Sequence, residues 1–251
     1  MKKIFFAYIL TLLIFFRAGA QDAIITAGKI EFEKKVNAHK EIESDAEGDD
    51  SWLLELRKAT PQYITSYFNL YFENGRTLYK PGREAVMSPK PPDWIMGPAI
   101  DNVVYHDLDK QQDITVKNVF ESSFLIQDSI RKVKWQITFD KRTIAGFECR
   151  KAVAIIMDSV YVVAFYTDEI ACSGGPESFS GLPGMILGVA IPRINTTWFA
   201  TKLELVAVKP EDLSPPKKGK KVNNKELMAQ LRAAMKDWGK FGRRNIWHVM
   251  L

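Results

Sequence analysis

From Val103 to Tyr166 the chain carries six short segments rich in β-branched and aromatic residues: Val103 to Leu108, Ile114 to Phe120, Ser123 to Asp128, Lys134 to Asp140, Cys149 to Met157 and Val160 to Tyr166. The spacers between them are too short for crossover helices, and no helical period competes. The stretch therefore predicts a meandering antiparallel sheet rather than alternating β-α-β units.

The same signal recurs on either side. Gly28 to Val36 reads GKIEFEKKV, with Ile30 and Phe32 alternating against charge. ITSYFNLYFENGRTLYK is a hairpin, because Asn74-Gly75 supplies the positive backbone angles of a tight turn. Trp198 to Val208 alternates again. Between these segments, the acidic stretch His39 to Asp50 reads as a mobile excursion. Ser51 to Leu56 opens a short helix capped by Asp50 or Ser51. The Pro- and Gly-rich segment Pro81 to Pro98 reads as a long irregular loop with Trp94 its one large anchor.

Composition changes at Pro210. Up to Lys221 the chain is a Pro- and Lys-rich linker that cannot continue a central strand. Asn223 or Asn224 then caps KELMAQLRAAMKDW, where Leu227, Leu231, Ala234 and Trp238 recur at helical spacing, and Gly239 and Gly242 end that helix. The expected class is mainly β (α+β): a single curved antiparallel meander sheet, half-barrel-like, with a C-terminal helix.

The N-terminus predicts export. Lys2 and Lys3 precede an apolar run from Ile4 to Phe16, and Ala18-Gly19-Ala20 offers small residues for cleavage before Gln21. The expected organisation is a signal peptide over 1–20, a β-rich domain over 21–209, and a basic linker with helix and tail over 210–251. Loss of Lys2, Lys3 and Arg17 lowers the formal charge of +5 by three, so net charge does not imply nucleic acid. Ten basic residues between Lys217 and Arg244 face only Glu226 and Asp237, which makes the tail the basic pole of the exported chain.

In an oxidising compartment the two cysteines, Cys149 and Cys172, are permitted to pair. A hairpin turning at Asp158-Ser159 sets Cys149 opposite Asp168, four residues or roughly 13 Å from Cys172, so pairing requires the chain to curl back. Both outcomes remain open.

Gly181-Leu182-Pro183-Gly184 is the sharpest local signal. Pro183 and Gly184 fit the central positions of a type II turn leading into the apolar strand MILGVAI. Neither the P-loop spacing nor GxGxxG is present. With FECRKA, VYVVAFYTDEI and GGPESF upstream, SGLPGMILGV resembles the motif of the GLPGLI family of exported Bacteroidota proteins, Met185 standing for the usual leucine. The resemblance spans about Lys29 to Leu205. It implies export, a β-rich fold and a gene often encoded near TonB-dependent outer-membrane transporters, and it transfers no catalytic residue.

Catalytic patterns are weak. His106-Asp107 could pair as base and orienter, but neighbouring strand residues face opposite sides, which favours a surface histidine. Ser173 and Ser180 lack the GxSxG context, Asp168 and Glu169 are sequence neighbours at a strand end, and His39, His106 and His248 form no close pair for a metal. The reading is a non-catalytic periplasmic accessory protein, without metal or cofactor, that docks on an outer-membrane protein such as a TonB-dependent transporter. Candidate contacts are Pro91, Pro92 and Trp94 together with Lys217, Lys218, Lys220 and Lys221, the lysines also offering peripheral membrane-surface contact. Nucleic acid is not an expected partner. The alternatives are a carrier holding an apolar ligand between sheet and helix, and a hydrolase of unknown class.

Overall fold

The computed structural model describes residues 24–45, 51–86 and 92–251, without the side chains of 45, 93 and 94. Their strands form one twelve-stranded sheet, mostly antiparallel and not closed into a barrel, in the order β12-β6-β5-β4-β3-β2-β1-β11-β10-β9-β8-β7. The strands are β1 Ala27–Asn37, β2 Tyr63–Glu73, β3 Arg76–Pro81, β4 Val103–Asp107, β5 Gln112–Val119, β6 Ser122–Ser129, β7 Gln136–Ile144, β8 Phe147–Ile156, β9 Val160–Thr167, β10 Met185–Ile191, β11 Thr196–Glu204 and β12 Lys220–Val222. Two hairpin meanders meet at β1, which pairs with β2 on one side and β11 on the other.

One face of this sheet is the core. Residues opposite one another on paired strands share a face, and the register strings together Ile126, Thr115, Val104, Tyr79, Leu70 and Ile30. A parallel row continues through Lys34, Trp198, Val189, Ala164 and Ala152. All of these side chains are buried. Burial at such scale, at about 25 cal/mol per Å² of apolar surface, is the main source of stability.

The covering pieces come from the loops and the C-terminus. Helices α1 (Ala38–Asp45), α2 (Ser51–Ala59) and α3 (Asp93–Met96) close one end with Ile42, Leu53, Ile95 and Met96 against Ile64. The segment from Cys172 to Leu182 folds onto the main core with Phe179 and Leu182. Helices α4 (Asn224–Ala234) and α5 (Gly239–Met250) pack Leu227, Leu231, Met235, Val249 and Met250 against Val119, Phe124 and Ile126.

Several expectations change. The acidic excursion is helical as far as Asp45, because Ile42 and Glu41 are drawn into buried contacts. The Pro-rich loop contains α3 and anchors through Ile95 and Met96; Pro91 and the side chain of Trp94 lie outside the described residues. The linker adds β12 as a parallel edge strand beside β6. Gly239 opens α5 instead of ending the C-terminal helix, and Gly242 lies buried inside it. Met235 is buried in place of Ala234 and Trp238, since the chain turns there. The Asn74-Gly75 hairpin forms as read, with both residues at positive φ. The β8–β9 turn is three residues long, so Arg150 pairs with Tyr166 and the register moves by one. Cys149 and Cys172 are free thiols, both buried and both pushed up to about 11 by burial.

The GLP turn is tighter than type II. Its closing bond runs from the Gly184 N–H to the Leu182 carbonyl, 2.7 Å, two residues apart. Gly184 has the expected positive φ of 132°, and a Cβ there would overlap the Thr167 carbonyl oxygen. That oxygen is backbone of the neighbouring strand and cannot step aside. Gly184→Val should therefore lower stability by at least about 2 kcal/mol, from backbone strain and overpacking together. Gly181→Ala, where φ is 87° but the space beyond is open, should cost about 1 kcal/mol. Chemical denaturation of both variants checks the ranking.

Candidate functional site

Strand alternation places a polar stripe on the core face: Lys34 on β1, Tyr79 on β3, His106 on β4, Asp113, Thr115 and Lys117 on β5, and Trp198 on β11, all buried. The covering pieces add Glu177, Asn102, Asn245 and His248, also buried. Glu177 is the hub. It lies in the GGPESF stretch at positive φ, accepts a hydrogen bond from Asn102 Nδ2 at 2.8 Å, and stands 3.8 Å from Lys34 Nζ. Lys34 Nζ in turn lies 5.4 Å from the Trp198 ring and 5.9 Å from Phe68, which stacks on Tyr79 at 4.8 Å. Buried charge is tolerated only when paired or hydrogen-bonded, so this contact fixes how the 172–182 segment sits on the sheet.

Burial is the leading influence on the titration of Tyr79, His106, Lys117 and His248. It pushes the Lys117 ammonium down to about 8, against the opposing charge of Glu177, and Lys117 Nζ donates to the Val249 carbonyl at 2.7 Å. The Tyr79 phenol is pushed well above its ordinary range by burial and then by Glu177. His106 is lowered by burial, with Asp113 at 3.7 Å opposing. His248 falls to about 3 through burial, reinforced by the charges of Lys34 and Arg244. Among the described residues Asn102 Oδ1, His106 Nε2, Glu177 Oε1 and Asn245 Nδ2 find no hydrogen-bond partner.

The surface expectation for His106 is thereby corrected. Its register opposite Thr77 turns it into the core, while Asp107 instead binds Lys110 through its backbone N–H and Nζ at 3.0 and 2.9 Å. The base-and-orienter pair does not form. Asp168 is exposed and meets Arg150 at 3.3 Å. Among the described residues no group of three or more His, Cys, Asp or Glu could hold a metal ion.

Two open features adjoin this sealed centre. Beside the GLP turn is a cleft of about 540 Å³, lined by Gly75, Leu108, Asp109, Arg131, Lys132, Cys172, Ser180 and Gly181 among others. Between the β5–β6 turn and α4 is an apolar groove of about 680 Å³ lined by Val119, Phe120, Phe124, Leu231, Ala234 and Met235. Exposed Phe120 and Trp238 meet edge to face at 5.8 Å, and Trp238 stacks on Phe241 at 5.8 Å.

The residues singled out from sequence scatter over these features. Gly181 and Cys172 share the cleft, Leu182 and Gly184 are buried, Pro183 is exposed, and Cys149 lies buried on β8, its thiol donating to the Phe147 carbonyl at 3.6 Å. Pro92 is half-buried at the head of α3. Lys217, Lys218, Lys220 and Lys221 are exposed, Lys220 also donating to Gln230 at 3.0 Å. The sequence reading missed Lys34, Lys117, Glu177 and Arg131. Lys34 was signalled: in the run Ile30, Phe32, Lys34, Val36 it occupies the apolar face.

A family model described as "Protein of unknown function (Porph_ging)" matches residues 155–188, from the end of β8 through the GLP turn into β10. The name refers to Porphyromonas gingivalis, consistent with a family of Bacteroidota. No curated protein matches the chain. Among solved structures, PNGF-II in two crystal forms resembles it, each with a TM-score of 0.51 and 13% identity, over 85% and 86% of this chain. The chain spans about a third of the PNGF-II length, 33% and 34%. At that identity the likeness is one of fold.

The sealed position of His248 sets an acid limit. Its folded value is about 3 against an ordinary 6.5, so between these values the unfolded chain binds a proton that the folded protein refuses. Stability should fall as pH drops through that window, with a limiting slope of about 1.4 kcal/mol per pH unit. His248→Gln should flatten that slope in denaturation midpoints measured from pH 7 to 4.

Proposed function

We propose that the protein is a non-catalytic accessory protein of the GLPGLI type, exported to the periplasm through its N-terminal leader, which docks on an outer-membrane protein such as a TonB-dependent transporter. One observation carries the reading: the free edge β7 holds out apolar side chains. A register irregularity between Ile137 and Lys141 displaces this strand from β8, and Phe139, within it, is fully exposed. Ile137 beside it is about half exposed. An unpaired edge bearing an exposed aromatic is a site for partner contact, because it offers main-chain groups for pairing and an anchor to bury. The exposed lysines of 217–221 supply a second, electrostatic contact to such a partner or to an anionic membrane surface.

The apolar groove favours a second reading, a carrier of an apolar ligand between sheet and helix, since its walls are hydrophobic and its rim aromatic.

A photo-crosslinking residue at position 139, introduced in the native host, should yield one dominant adduct with an outer-membrane protein, absent when the probe sits at exposed Glu211. Equal labelling at both positions would remove the docking reading. For the carrier, Ala234→Trp should fill the groove and abolish any lipid extracted from the purified protein; unchanged lipid content would exclude the groove as its site.

A further inference from the structure

Three aromatic rings gather where two connections meet. Phe120 stands in the turn between β5 and β6, Trp238 in the bend between α4 and α5, and Phe241 in the first turn of α5. Phe120 is 59% and Trp238 43% exposed, and Trp238 touches both of the other rings, so the three form one patch. Phe120 also lines the apolar groove with Leu231, Ala234 and Met235, which extends the apolar surface past the rings. Single exposed apolar residues are ordinary on a protein surface, whereas a contiguous cluster marks a surface that binds something.

The Phe120 ring is kept at a cost. Its φ is 52°, in the left-handed region that a bulky side chain resists. Glycine would serve the turn with less strain, and a ring so exposed returns little burial energy to the fold.

Charges round the patch favour one sign. Over residues 119–123 and 230–243 the exposed charged side chains are Arg232, Lys236, Lys240 and Arg243 against Glu121 and Asp237. Lys220 adds a fifth base, since it donates to Gln230 and lies 5.9 Å from the Phe124 ring, and both of those residues line the groove. Three of the five bases are lysine, which protein–protein interfaces disfavour and anionic lipid headgroups attract. Rings that settle between headgroups and acyl chains, with bases left among the headgroups, make an interfacial anchor.

We propose that the aromatic tip of Phe120, Trp238 and Phe241, with the basic residues round it, is a peripheral anchor for an anionic lipid surface. The β5–β6 turn lies near the end of the sheet opposite β7. Anchoring through the tip therefore leaves the β7 edge open to a protein partner.

Sedimentation of residues 21–251 with sucrose-loaded vesicles tests this, the apolar run Ile4 to Phe16 being left out because it would bind lipid by itself. Vesicles of phosphatidylglycerol and phosphatidylcholine should carry the protein down at low salt, and phosphatidylcholine alone should not. Phe120→Gly should weaken partitioning at least about tenfold. The same variant should leave the thermal midpoint unchanged or raised, because glycine accepts the positive φ, whereas loss of a merely structural ring would lower it. Lys236→Gln combined with Arg243→Gln should weaken binding about 25-fold, about fivefold for each charge, and reduce its salt dependence. Acyl-brominated lipid should quench tryptophan fluorescence, and Trp238→Phe should remove most of that quenching. The proposal is overturned if anionic vesicles carry no protein down, if neutral vesicles carry as much, or if Phe120→Gly binds as wild type does. A protein adduct from a photo-crosslinker at position 238, without vesicle binding, would give the tip to a protein partner and overturn it equally. Crosslinking at position 139 reports on the β7 edge separately from all of these results.

Discussion

The buried contact of Glu177 with Lys34 and Asn102 joins three parts of the molecule that are remote in sequence. A sheet of twelve strands with one apolar face cannot stand alone, because that face must be covered. The cover comes from the 172–184 segment, the three helices at one end and the two C-terminal helices. Apolar packing supplies the energy for that closure but little direction. Direction comes from the polar stripe: a carboxylate taken out of water must meet its ammonium and its amide, and only one seating of the segment achieves both. The GLP turn follows within a few residues of Glu177. Its tight close approach to β9 transmits that seating into β10.

Much of the architecture was legible because it rests on local signals. Alternation marked the strands, Asn74-Gly75 marked the hairpin, and short spacers excluded crossover helices. The two-helix C-terminus was not, since Gly239 and Gly242 carry the same stop signal whether a helix ends there or a new one begins. Nor was β12, three residues in a lysine-rich stretch whose strand state depends on the edge of β6 being there to receive it. The candidate site was legible only in fragments. Lys34 betrays itself by its place among Ile30, Phe32 and Val36. Glu177 and Arg131 sit in irregular segments where no periodicity assigns a face, so their burial is decided by tertiary packing alone.

The ionisable groups divide into two populations. Those on the core face are sealed, and desolvation holds Tyr79, His106, Lys117 and His248 away from their ordinary titration ranges. Those bordering the cleft and the outer surface are open, and there recognition is possible. Arg131 lies between the two populations, touching the C-terminal helix on one side and the cleft on the other.

The central place of β1 has a kinetic consequence. Its partner on one side, β2, is nearby in sequence, but its other partner is β11, with Glu31 opposite Lys202. As the chain is synthesised, β1, the first of the described strands, must wait with one edge bare until some 170 further residues have emerged. During that interval the meander β2 to β6 can assemble on it, while β7 to β10 can only form as a separate unit. The two halves can merge only when β11 docks on β1, the longest-range pairing among the described strands, and loop closure over so many residues must precede the contacts that reward it.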